Sequence, residues 1–135
     1  MMAKNRLSII IFSGTLDKFI PLGALAIAGT AMGMEVNVFV TGFAVLAFRK
    51  SHMELPFPSD FENLKDLLLK GMEKNNISWR EMLEHAKVLG MKVYACSMMS
   101  AALDLTEKDY DPIIDGISGA ASFLADAAGS QTIFI

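Results

Sequence analysis

At 135 residues, 53% of them hydrophobic and 20% charged, the chain carries enough apolar material for one sizeable core and leaves little room for a second. A net charge of −3, with Arg49-Lys50 the one basic cluster, excludes the positive footprint that a nucleic-acid backbone demands. A single Cys forms no internal disulfide and, with two His, falls short of the four ligands of a structural zinc site, so neither metal nor cofactor is expected.

The start, "MMAKNRLSIII", sets positive residues before an apolar run, but charge and Gly return from Ser13 to Lys18 with no small-residue cleavage site. A cytoplasmic chain is the expectation. "LSIIIFS", Leu7 to Ser13, is a continuous β-branched run of the kind found in strands covered on both faces. Thr15 to Gly33 reads as a helix with Thr15 as N-cap, Asp17 in the first turn and Pro21 near its start. Its apolar part, Phe19 to Met34, is about 16 residues long, short of the roughly 20 a spanning helix needs. A buried helix is therefore expected, and no membrane span. A second strand, "EVNVFVT" from Glu35 to Thr41, follows at once.

Phe43 to Lys50 predicts a short helix with a basic end, and then "SHMELPFPSD" breaks the pattern with two prolines. Ser59-x-x-Glu62 and Ser78-x-x-Glu81 are capping-box spacings, each announcing a helix. The first presents Phe61, Leu64, Leu67, Leu68 and Met72 on one face; the second runs from Trp79 to Leu89 and stops at Gly90. Residues 51–78 thus form a helical insertion in a domain spanning 1–135. "MKVYACS" is the third strand, Ser97 to Leu103 a short helix, Thr106-x-x-Asp109 a capped turn, "PIIDGISG" a brief strand, Ser118 to Ala128 a small-residue helix, and "QTIFI" the last strand. The alternation predicts an α/β/α sandwich with a mostly parallel sheet of about five strands joined by right-handed crossovers.

In such a sheet ligands collect beyond the carboxyl ends of the strands. Cys96, the only cysteine, falls at that edge, where a helix beginning at Ser97 or Met98 aims free N–H groups at the sulfur and favours its nucleophilic thiolate form. Gly14 and Asp17 after the first strand belong to the same edge and can shape a pocket. Two readings stand: a reactive thiol, or a small hydrophobe in the core. His52 in the irregular segment offers a Cys–His pair as a minority alternative, His85 reads as a surface residue, and Trp79 as packing. Ser13-Gly14-Thr15 could hold an anion on backbone amides but lacks the length of a phosphate loop.

The Gly14-x-x-Asp17-Lys18 turn, the junction "AMGMEV" from Ala31 to Val36, and Cys96-Ser97-Met98 after a strand together resemble the DsrE/DsrF/DsrH-like family, in the branch labelled peroxiredoxin-like. The likeness spans nearly the whole chain. It implies an α/β/α fold, homo-oligomeric assembly, and a cysteine at the position of Cys96 that carries sulfur as a persulfide or thiosulfonate in relay with TusA-like proteins or rhodaneses. Gly14, Asp17, Ser97 and Met98 would line the binding site. Whether such a chain turns over as a sulfurtransferase or is charged once per cycle stays open. No P-x-x-x-T-x-x-C peroxidase signature and no second cysteine are present, so the peroxiredoxin label implies no peroxidase. The competing reading is a non-catalytic oligomeric binding module with a structural cysteine.

Overall fold

The computed structural model describes residues 5–51 and 54–135. Its centre is a five-stranded parallel sheet in the order β4-β3-β2-β1-β5, made of β1 (Arg6–Ile11), β2 (Glu35–Val40), β3 (Lys92–Cys96), β4 (Gly116–Ser118) and β5 (Gln131–Phe134). From β1 the chain steps in one direction through β2 and β3 to β4, then returns across the sheet to β5 beyond β1. Right-handed crossovers put the helices of the outward steps on one face and the helix of the return on the other.

The first face is the main core. Leu7, Ile9, Ile11, Val36, Val38, Val40, Val93 and Ala95 alternate along the strands and meet Phe19, Leu22 and Ala26 of α1 (Leu16–Ala31) and Leu83 and Ala86 of α3 (Trp79–Val88). The two helices approach closely at Gly23, where a Cβ would stand 3.0 Å from Met82 Cε. Trp79 is packing, as expected: its ring lies 4.7 Å from Phe19 and edge-on to Phe48. Among the described residues, α5 (Ala120–Ala127) is the helix that packs on the second face. Its buried cluster is small: Phe39, Cys96, Phe123 and Ala127, with Ile10 and Tyr94 half-buried beside them.

The helix expected over Phe43 to Lys50 is a 3₁₀ segment, Gly42–Phe48, whose entry is tightened by the Ala44 amide meeting the carbonyls of Phe12 and Thr41 at 3.2 Å each. Between residues 54 and 78, Ser59 does not cap. Pro58, extended at φ −61° and ψ 129°, ends an irregular strap over 54–58 and precedes a 3₁₀ segment, Ser59–Leu64, which leads into α2 (Lys65–Lys74). Ser78 does cap, accepting the Glu81 amide at 3.3 Å, and Thr106 and Asp109 form the reciprocal box. Of "PIIDGISG" only Gly116–Ser118 is strand; Asp111 takes the Ile113 amide at 3.0 Å and turns the first half.

Candidate functional site at the carboxyl edge of the sheet

Strand parity places Cys96. Val93 and Ala95 face the main core, so Tyr94 and Cys96 face α5. Cys96 is the last residue of β3 and the N-cap of α4 (Ser97–Ala102), with extended dihedrals of −62° and 125°. Its register partner on β4 is Ser118. The next residue, Gly119, is the N-cap of α5, and a Cβ built on it would lie 3.8 Å from Ser97 Oγ. Two helix starts therefore converge beside one cysteine.

The residue is 6% exposed, enclosed with Phe39, Phe123 and Ala127, while Ser97 and Met98 immediately above it are exposed, Met98 to 75%. The sulfur makes no capping hydrogen bond to the first-turn amides of α4 that the sequence expects to face it. Phe39 and Phe123 stack at 4.9 Å, and α5 is held down at its far end. There Arg6 donates to the carbonyls of Asp126 and Ala128, and Ser8 and Ser130 share a 2.7 Å hydrogen bond while Ser130 caps the Ala127 carbonyl. These contacts fix Phe123 in the cluster that encloses the thiol.

Behind the cysteine lies a buried polar chain. Ser100 Oγ donates to the Cys96 carbonyl at 2.7 Å, and the Tyr110 hydroxyl stands 2.6 Å from the same Oγ. A serine hydroxyl has one proton, so Tyr110 is the donor in the second bond. Burial raises the Tyr110 phenol above its ordinary value; the Ser100 hydrogen bond opposes this and the neighbouring Cys96 side chain adds to it.

Gly14 and Asp17 share the carboxyl edge but sit apart from the thiol. Gly14 follows β1, two strands from β3, on the order of 10 Å away. It lines a cavity of about 380 Å³ with Thr15, Phe43, Leu46, Arg49 and the strap, whereas Asp17 lines a second cavity of about 720 Å³ walled by 57–77. Cys96 lines neither. Of the Ser13-Gly14-Thr15 amides expected to cradle an anion, that of Ser13 donates to the Ile135 carbonyl at 3.4 Å, and just beyond them the Leu16 amide donates to the Pro56 carbonyl at 2.9 Å. The Thr15 hydroxyl caps no amide and donates to Asp17 at 2.5 Å.

His85 is exposed on α3, and His52 lies outside the described residues. Among the described residues no group of three His, Cys, Asp or Glu side chains is placed to hold a metal ion, and no helix is long and apolar enough to cross a membrane. Sequence reasoning missed Ser100, Tyr110, Ser118 and Phe123. The Ser118-Gly119 pair could have been found as a strand-to-helix junction parallel to Cys96-Ser97; the other three depend on contacts across the fold.

The chain is 30% identical to the uncharacterized protein YrkE of Bacillus subtilis (strain 168), over 97% of each chain. It is 28% identical to the sulfur carrier protein DsrE2 of Allochromatium vinosum, covering 96% of this chain and 97% of that one. Among solved structures its fold resembles the ychN protein of E. coli, with a TM-score of 0.66 at 11% identity over 98% of each chain. It also resembles MTH1491 of Methanobacterium thermoautotrophicum, a protein of unknown function, with a TM-score of 0.57 at 15% identity, covering 98% of this chain and 100% of that one. The family model described as DsrE/DsrF/DrsH-like matches residues 58–135, more than half of the sequence and the part that holds Cys96, Ser118 and Phe123. By that match, and by the parallel sheet it runs through, the chain belongs to the DsrE/DsrF/DrsH-like family.

Proposed function

We propose that the protein is a sulfur carrier that accepts sulfane sulfur on Cys96 and passes it to a thiol of a second protein, of the kind represented by TusA-like carriers or rhodaneses. The observation that carries this reading is the position of the chain's only cysteine. It sits at the junction of β3 and α4, beneath exposed Ser97 and Met98, in a family with a named sulfur carrier among its relatives. In the loading step the Cys96 thiolate attacks the outer sulfur of a donor persulfide. A bond forms between the two sulfurs, the donor's S–S bond breaks, and the donor leaves as a thiolate. Unloading repeats the exchange with an acceptor thiolate, and Cys96 departs as the leaving group. Neither step changes the net oxidation state. The surrounding Phe39 and Phe123 keep water and oxidants from the adduct.

The apolar rim of this edge suits a protein partner rather than a free polar metabolite. Phe12, Phe43 and Phe134 are 48%, 60% and 67% exposed. A homo-oligomer in the cytoplasm that meets its relay partners at this rim is the assembly the reading calls for.

The enclosure of Cys96 supports a second reading, a binding module whose cysteine is core packing. Thiol modification of the folded protein at neutral pH separates the two. The carrier reacts with a small disulfide reagent on the folded timescale and gains the mass of one sulfur from a persulfide donor, and Cys96→Ala does neither. Reaction only upon unfolding would favour the module.

A further inference from the structure

The segment from Phe57 to Ile77 contributes no residue to the buried cluster around Cys96. No residue of its 3₁₀ segment or of α2 is buried, and the chief contacts of α2 are with that 3₁₀ segment. Yet its apolar side chains lie together. Phe57, Phe61, Leu64, Leu67, Leu68 and Met72 line the concave side of the 720 Å³ groove, to which the body of the domain contributes, among the described residues, only Asp17. Leu67 is 70% exposed and Phe61 55%. A helix of 10 residues falls below the roughly 12–15 at which isolated helices reach even marginal stability in water. Left bare, α2 has too little holding it; an apolar partner would supply what the rest of the chain does not.

We propose that this partner is the same segment of a second copy of the chain, packed antiparallel about a two-fold axis near Leu68. The charges fit that arrangement. Asp60, Glu62 and Asp66 stand at the start of the segment and Lys70 and Lys74 at its end, while Lys65 is engaged by Glu54 at 3.7 Å. A two-fold axis through the middle sets each acidic start beside the partner's basic end and opposes the two helix dipoles; Glu73 is the one side chain out of pattern. A bilayer surface fits less well, because residues 54–77 carry five acidic and three basic side chains where membrane-surface helices are rich in Lys and Arg. The inference does not depend on the chemistry of Cys96.

Sedimentation equilibrium on the full chain tests it, with Leu67→Glu as the probe. That side chain is exposed in the single chain, so the variant retains its core. The expected result is a halving of the number of subunits per particle, from an association weakened about a hundredfold by the loss of two symmetry-related leucine contacts. In a Cys96→Ser background, Leu68→Cys should link two chains on mild oxidation, whereas Glu84→Cys on the exposed face of α3 should not. An unchanged particle in Leu67→Glu, or no linked pair from Leu68→Cys, overturns the proposal. A monomeric wild type overturns it as well, and if that monomer binds phosphatidylcholine/phosphatidylglycerol vesicles through Leu67, the partner is a membrane.

Discussion

Ser100 and Tyr110, on different elements, hold the backbone of Cys96 from behind: the serine hydroxyl donates to the cysteine carbonyl at 2.7 Å and accepts from the tyrosine at 2.6 Å. All three residues are buried, so the two substitutions that cut this chain differ in cost. Tyr110→Phe removes one donor and leaves the Ser100 bond to Cys96 intact, a loss of about 1 kcal/mol. Ser100→Ala also strands the phenol without an acceptor and costs about 1–3 kcal/mol. Urea denaturation should rank the serine variant as the less stable.

Tyr110 and Asp109 limit stability from opposite ends of the pH range. Burial raises Tyr110 above its ordinary value of 10.0, so above that pH the unfolded chain releases a proton that the folded chain keeps, and stability falls as pH rises. The Thr106 amide and hydroxyl lower Asp109 below 3.8, so its contribution is complete above that value and is lost as pH falls through the folded value. Tyr110→Phe should flatten the alkaline limb and Asp109→Asn the acid one, read as melting temperature against pH.

Three glycines should respond differently to alanine. Gly42 has φ of 54° and would place a Cβ 2.5 Å from the Phe12 ring, combining backbone strain with a clash. A loss of about 2–4 kcal/mol is expected there. Gly33, with φ of 81° and open space around it, should cost about 1 kcal/mol from strain alone. Gly71 lies inside α2 with nothing nearby, and its replacement should add about 0.5–1 kcal/mol to helix stability. Thermal unfolding of the three variants checks the order.

Phe123→Ala should separate enclosure from reactivity at the cysteine. Removing the ring that stacks on Phe39 at 4.9 Å costs about 3–5 kcal/mol and opens the cluster around the sulfur. The rate of thiol modification should rise about tenfold or more, measured well below the melting temperature of the variant. An unchanged rate would place the barrier to reagent elsewhere.

The fold was legible where patterns are local. The β-branched runs of "LSIII" and "EVNVFV" became β1 and β2, and Ser78 capped its helix as its spacing announced. Ser59 carried the same spacing and did not cap, because the extended strap and its Pro58 set the entry to a segment with little to pack against. The position of Cys96 at a strand end followed from the alternation of elements. Its enclosure did not, because the ring that encloses it belongs to α5, whose side of the sheet is fixed only by the return crossover from β4 to β5. Gly14 and Asp17 were placed on the correct edge, but the strand order puts β2 between them and the cysteine.

Sulfane sulfur carried through Cys96 is the claim on which the functional account stands, and a two-step relay with labelled sulfur measures it directly. Protein loaded from a labelled persulfide donor and freed of excess reagent should hold one labelled sulfur per chain, and an acceptor thiol should then carry the label away and leave Cys96 reduced. Retention of no more label by the wild type than by Cys96→Ala would contradict it.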